Sequence, residues 1–123
     1  MAVRLFPPGS DVEAESLPTP QLIENLAHFS HHYRGRAVTA LGKRLPERPD
    51  VFDHIMATIT NPINRNARVL GVTTVSWLGA IAILENGTAE QIEQVSAVLR
   101  GWDETEKEDL RYYLRNSGLN LQF

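Results

Sequence analysis

Glu24, His28 and His32 recur at every fourth position, and a carboxylate with two neutral imidazoles is a donor set that zinc accepts. On one continuous helix Leu22, Leu26, Phe29 and Tyr33 make a single apolar stripe. Glu24, His28 and His32, with His31 beside them, then face away from that stripe. A catalytic zinc needs three protein ligands and further groups that orient them, and the spacing identifies no such groups. The face is therefore read as solvated or as part of an interface, with no metal and no cofactor.

The second constellation is cationic. His31, His32, Arg34 and Arg36 are followed by Lys43, Arg44 and Arg48, and Arg65 and Arg68 come after a gap. Arginine binds phosphate bidentately, and Gly35 would let a backbone approach closely. These nine residues are the candidate contact for nucleic acid or another anionic partner. Phe29 and Tyr33 fall on the expected buried stripe, which leaves the patch without a stacking platform.

Ala67 to Thr73, with Gly71-Val72 four residues after Ala67, echoes the middle of a helix-turn-helix. Trp77 comes too early and in too apolar a run for that motif. Serines 30, 76, 96 and 117 have no nucleophile elbow around them, and the chain holds neither a phosphate-binding glycine loop nor HExxH. No catalytic residues are expected. Asp103, Glu104 and Glu106 sit at a helix start, where acids favour the helix dipole. Trp102 beside them is a candidate anchor for a protein partner, and Asp103, Glu104 and Glu106 join it in the candidate partner surface, as do Leu5, Phe6 and Phe123 near the termini.

The elements that must hold these residues read as helices from Thr19 onward. Thr19-Pro20 and Asn61-Pro62 are cap-then-proline starts, and Thr88 with Gln91 is a capping box. Val38, Leu41 and Leu45 make an amphipathic piece after a break at Gly35. Val51, Phe52, Ile55, Met56 and Ile59 make a wider apolar face. From Asn61 to Leu84 the pattern is nearly apolar all round, as in a helix packed on several sides. Its β-branched residues also suit strands, and Gly71 is a point where it could divide. Leu110, Tyr113 and Leu114 form the inner face of a last helix ending near Gly118.

The expected fold is all-α, either a compact multi-helix bundle or a short HEAT-like stack of antiparallel helix pairs. Residues 1–19, with Pro7, Pro8, Gly9 and Pro18 among acids, read as an extended N-terminal arm. Residues 20–118 form a single helical domain, and the apolar alternation of Leu119, Leu121 and Phe123 marks a packing tail.

Charge is sorted along the chain. Residues 1–27 carry a net of −3, residues 28–68 a net of +4 with all four histidines, and residues 69–123 a net of −4. A basic centre between acidic flanks suits an anionic partner, or docking of one copy on another. Cysteine is absent, which excludes disulfides and permits a reducing compartment such as the cytoplasm. The longest uncharged run, Val69–Leu84, has 16 residues against the roughly 20 that span a bilayer, so no membrane role is expected. Together these features point to a non-enzymatic interaction or assembly protein, homo-oligomeric or inhibitor-like. Nucleic-acid binding through residues 31–48 is the alternative.

Overall fold

Helix α5 (Val75–Asn86) is the axis of the molecule. In the computed structural model, which describes residues 14–119, 121 and 123, its Val75, Trp77, Ala80, Ile83 and Leu84 are all buried. A helix this apolar on every side must be covered on every side. The covering elements are α2 (His31–Arg44), α3 (Phe52–Thr60) and α6 (Ala89–Arg100), with α1 (Thr19–Asn25) lying on α2. A 3-10 turn (Pro49–Val51) leads into α3, the short α4 (Pro62–Arg65) follows it, and α7 (Glu104–Leu114) closes the chain. Because α5 meets helices distant in sequence, this is an all-α bundle rather than a linear stack touching only successive pairs.

Small residues set the spacing at the centre. A Cβ added at Gly42 of α2 would overlap Cβ of Ala82 on α5. At Gly79 of α5 an added Cβ would lie 2.6 Å from Cγ1 of Ile59 on α3. Around these approaches pack Leu22, Val38, Leu41, Leu45, Val51, Ile55, Ile59, Leu99 and Leu110, each at most 1% exposed. Ser76 on α5 donates from Oγ to the carbonyl of Ile59, 2.8 Å away, and so fastens the end of α3.

The start signals hold where chemistry is local. Asn61 accepts from the Ile63 N–H with Pro62 at the first helical position, and Thr88 with Gln91 forms a reciprocal capping box. The all-helical expectation for 61–84 is corrected. Residues 68–70 and 73–74 are antiparallel strands β1 (Arg68–Leu70) and β2 (Thr73–Thr74), with Arg68 opposite Thr74 and Leu70 opposite Thr73. Gly71 turns between them at φ +57°, a conformation that suits glycine. The helix-turn-helix echo is this hairpin.

Two further expectations change. Gly35 does not interrupt a helix but sits inside α2, its missing side chain facing Leu78 and Val69. The stripe from Leu22 to Tyr33 is broken, because α1 stops at Asn25 and Phe29 stands 92% exposed in the connection. Glu24, His28 and His32 therefore do not share one helix. Of the expected arm, residues 1–13, with Leu5 and Phe6, lie outside the described residues. Ala14 is buried, and Glu15 reaches α2. In the tail, Leu119, Leu121 and Phe123 pack against the core. No helix among the described residues is long and apolar enough to cross a membrane.

Replacing Gly42 by Ala should destabilise the fold by about 1–3 kcal/mol, because the overlap is with the neighbouring helix rather than a flexible tip. Urea denaturation followed by circular dichroism reads this directly, and an unchanged midpoint would mean that the crossing has slack.

Candidate functional site

The cationic run divides once it folds. Arg34 and Arg36 are only 6% and 8% exposed. Arg34 donates from Nε to Oδ1 of Asn64 (2.9 Å) and from Nη1 to the carbonyls of His28 (2.8 Å) and Phe29 (3.1 Å). Asn64 in turn donates to the Thr58 carbonyl at 2.9 Å. This knot explains the break after α1: Arg34 takes the carbonyls that a continuing helix would use. Burial lowers the pKa of both guanidinium groups.

Lys43, Arg44, Arg48 and Arg65 are engaged within the chain. Lys43 pairs with Glu15, whose pKa its hydrogen bond and charge hold below the usual carboxylate value. Arg44 donates to Thr19 Oγ1 at 3.1 Å and to the Glu15 carbonyl at 2.8 Å. Arg48 grips Asp50 through two bonds of 3.0 and 2.9 Å. Arg65 pairs with Glu106 and lies 3.6 Å over the Trp102 ring, and Glu106 also accepts from Trp77 Nε1 at 2.9 Å. Arg68 is exposed on β1. His31 and His32 open α2 with rings 4.3 Å apart, and burial, then the neighbouring His31, depresses His32 below its ordinary value.

The acidic flanks thus meet the basic centre inside one molecule, Glu15 on Lys43 and Glu106 on Arg65. The acids around Trp102 have local work as well. Asp103 caps α7 by accepting from the Thr105 and Glu106 N–H groups, and Glu104 pairs with Lys107 at 2.7 Å. Phe123 offers its main-chain oxygen to Arg111 at 3.1 and 2.6 Å. Among the described residues no group of three or more histidines and acids is placed to hold a metal ion.

Two surface features escape the sequence patterns. The first is a groove of about 350 Å³ between α2, the hairpin, α5 and α7. Gly35, Thr39 and Ala40 form its α2 side, Val69 and Leu70 its hairpin side, and Leu78 and Tyr113 its far side. Its walls are mostly apolar, yet buried Arg36 lines it and Lys43 stands at it beside Glu15. Leu70, Val72 and Tyr113, 63%, 57% and 57% exposed, leave apolar surface there and on the adjoining turn. The readable signal is the spacing of Gly35, Thr39 and Gly42, which puts three small residues on one face of a helix. Tyr113, expected on the inner face of α7, stands outside it instead.

The second feature is an aromatic stack. The exposed Phe29 ring lies on His28 at 4.6 Å and 25°, and His28 in turn meets Tyr33 at 4.6 Å. The stripe geometry that hid Phe29 required the helix that Arg34 ends. Comparison with protein-family models, curated proteins and solved structures returns no match for the chain.

Arg34 is structural in this arrangement, and Arg34→Met should cost about 2–3 kcal/mol by stranding Asn64 and two carbonyls. Thermal unfolding would check it. A variant of wild-type stability would return Arg34 to the set of surface contacts.

Proposed function

We propose that the chain is a non-enzymatic helical interaction protein of the cytoplasm, and that it binds a protein partner through the groove and its apolar rim. A second copy of the chain is the first partner to test. The observation that carries this reading is the clustering of Leu70, Val72 and Tyr113, more than half exposed, around an apolar groove. Exposed apolar surface of this kind, bordered by polar groups, is what protein contacts use. The lack of cysteine agrees with a reducing compartment. Charge segregation along the sequence gives less support, because Lys43, Arg48 and Arg65 have partners within the molecule. Leu5 and Phe6 remain in the reading as anchors of an arm, and Ala14 and Glu15, the first described residues, line the groove.

Sedimentation from about 10 μM to about 1 mM tests the self-assembly form. The expected outcome is a reversible oligomer, weakened at least tenfold, about 1.4 kcal/mol, by Leu70→Asp with Val72→Asp. Both positions are exposed, so thermal stability should hardly change. A strict monomer over the whole range would end the self-assembly form.

A second reading, contact with single-stranded nucleic acid, is favoured by the Phe29–His28 stack, since base–aromatic stacking contributes about 1–3 kcal/mol per base. Five residues of the 31–48 patch are buried or already engaged within the chain, which weighs against it. Fluorescence polarisation with a short RNA should then show binding that falls steeply with salt and drops in Phe29→Ala. No binding at low salt would remove this reading.

A further inference from the structure

One hydroxyl in the groove is not accounted for by the fold. Thr73 of β2 lines the groove and is only 6% exposed. The other buried threonines use their hydroxyls within the chain. Thr19 accepts from Arg44, Thr58 donates to the His54 carbonyl at 2.9 Å, and Thr74 accepts from the Trp77 N–H at 3.2 Å. Among the described residues Thr73 Oγ1 has no such partner. Nor is it sealed from solvent as the Ser96 hydroxyl is, so it opens on the space that Thr73 lines. A buried hydroxyl without a hydrogen bond lowers stability. Valine has the same shape, suits a strand as well, and would avoid that cost.

The rest of the lining narrows what could meet this hydroxyl. Ala40, Val69 and Leu78 offer apolar contact alone. No part falls to the charged residues, because Lys43 is paired with Glu15 and Arg36 is engaged within the chain. A hydroxyl and apolar walls would not offset the lost hydration of an ionised group. An apolar cavity of about 150 Å³ already holds a benzene ring. The groove, at about 350 Å³, therefore has room for a body of that size and a polar atom beside it.

We propose that the groove binds a small neutral molecule with an apolar body and one hydrogen-bonding oxygen, the body against Ala40, Val69 and Leu78 and the oxygen at Thr73 Oγ1. Alcohols, phenols and ketones are of this class, since the threonine hydroxyl both donates and accepts. The inference concerns the interior of the groove and does not rest on the assembly reading, which its exposed rim carries.

The test is an amide NMR titration of the full chain with benzyl alcohol and with toluene, its counterpart without the oxygen. Toluene is the more hydrophobic of the two, so apolar contact alone would rank it first. Benzyl alcohol should bind at least as tightly, with the largest shifts at Gly35, Thr39 and Thr73. Thr73→Val should weaken benzyl alcohol about fivefold and change toluene by less than about twofold. The same variant should keep or raise the thermal midpoint, because the hydroxyl it removes has no partner in the fold. Thr39→Trp, at an exposed wall position, should abolish binding of both probes.

Unchanged benzyl alcohol affinity in Thr73→Val, or tighter binding of toluene to the unaltered chain, would overturn the part given to the hydroxyl. A lowered midpoint in Thr73→Val would show that the hydroxyl serves the fold and would remove the premise. Full binding in Thr39→Trp would overturn the location. No shifts with either probe up to about 5 mM would overturn the proposal outright. None of these results bears on sedimentation of the unliganded chain, so the assembly reading stands or falls separately.

Discussion

The close crossing of α2 and α5 is the constraint on which the rest of the molecule depends. α5 is apolar on all sides, so its burial requires a partner helix that lies very near its backbone. Gly42 against Ala82 supplies that nearness, and Gly79 does the same for α3 by leaving room for Ile59. Once α2 is fixed there, the rest of its length is fixed too. Gly35 comes against Leu78 and Val69, and Arg34 is carried to Asn64. The hairpin is held in the same way, by burial of Val69, Thr73 and Thr74 rather than by the length of its strands. A two-stranded ribbon of this size would not be stable alone.

Charge plays a second, dependent part. Sorting along the sequence invites a picture of segregated surfaces, but the fold brings the blocks back together. The pair of Arg65 with Glu106 is three-quarters shielded and also receives the Trp77 N–H, so breaking it would leave a charge with little water around it. The pairs Lys43–Glu15 and Arg48–Asp50 are about half exposed, and pairs of that kind add little to stability. Their effect is mainly on what the surface offers: these cations are occupied before any partner arrives.

Local grammar was legible in the sequence wherever a few adjacent residues decide the outcome. The capping box at Thr88 and the Asn61-Pro62 start both follow from backbone donors finding nearby oxygens. Burial of Trp77 accords with the apolar run around it. What stayed illegible was decided at long range. Nothing between Asn25 and Ser30 forbids a helix, and its end there needs Arg34 to take the His28 and Phe29 carbonyls. Strand and helix were balanced at 68–74 because β-branched residues suit both when buried, and packing of Val69 on α2 settled the matter. Tyr113 has the spacing of a core residue, but Leu110 and Leu114 complete that contact without it.

The groove follows from the same small residues that make the core possible. Gly35, Thr39 and Gly42 share a face because a helix must be slim where it meets another, and the slim strip runs past the crossing. At the crossing Ala82 fills the space. Toward the start of α2 Leu78 and Val69 reach Gly35, and between the two approaches Thr39 and Ala40 line the groove.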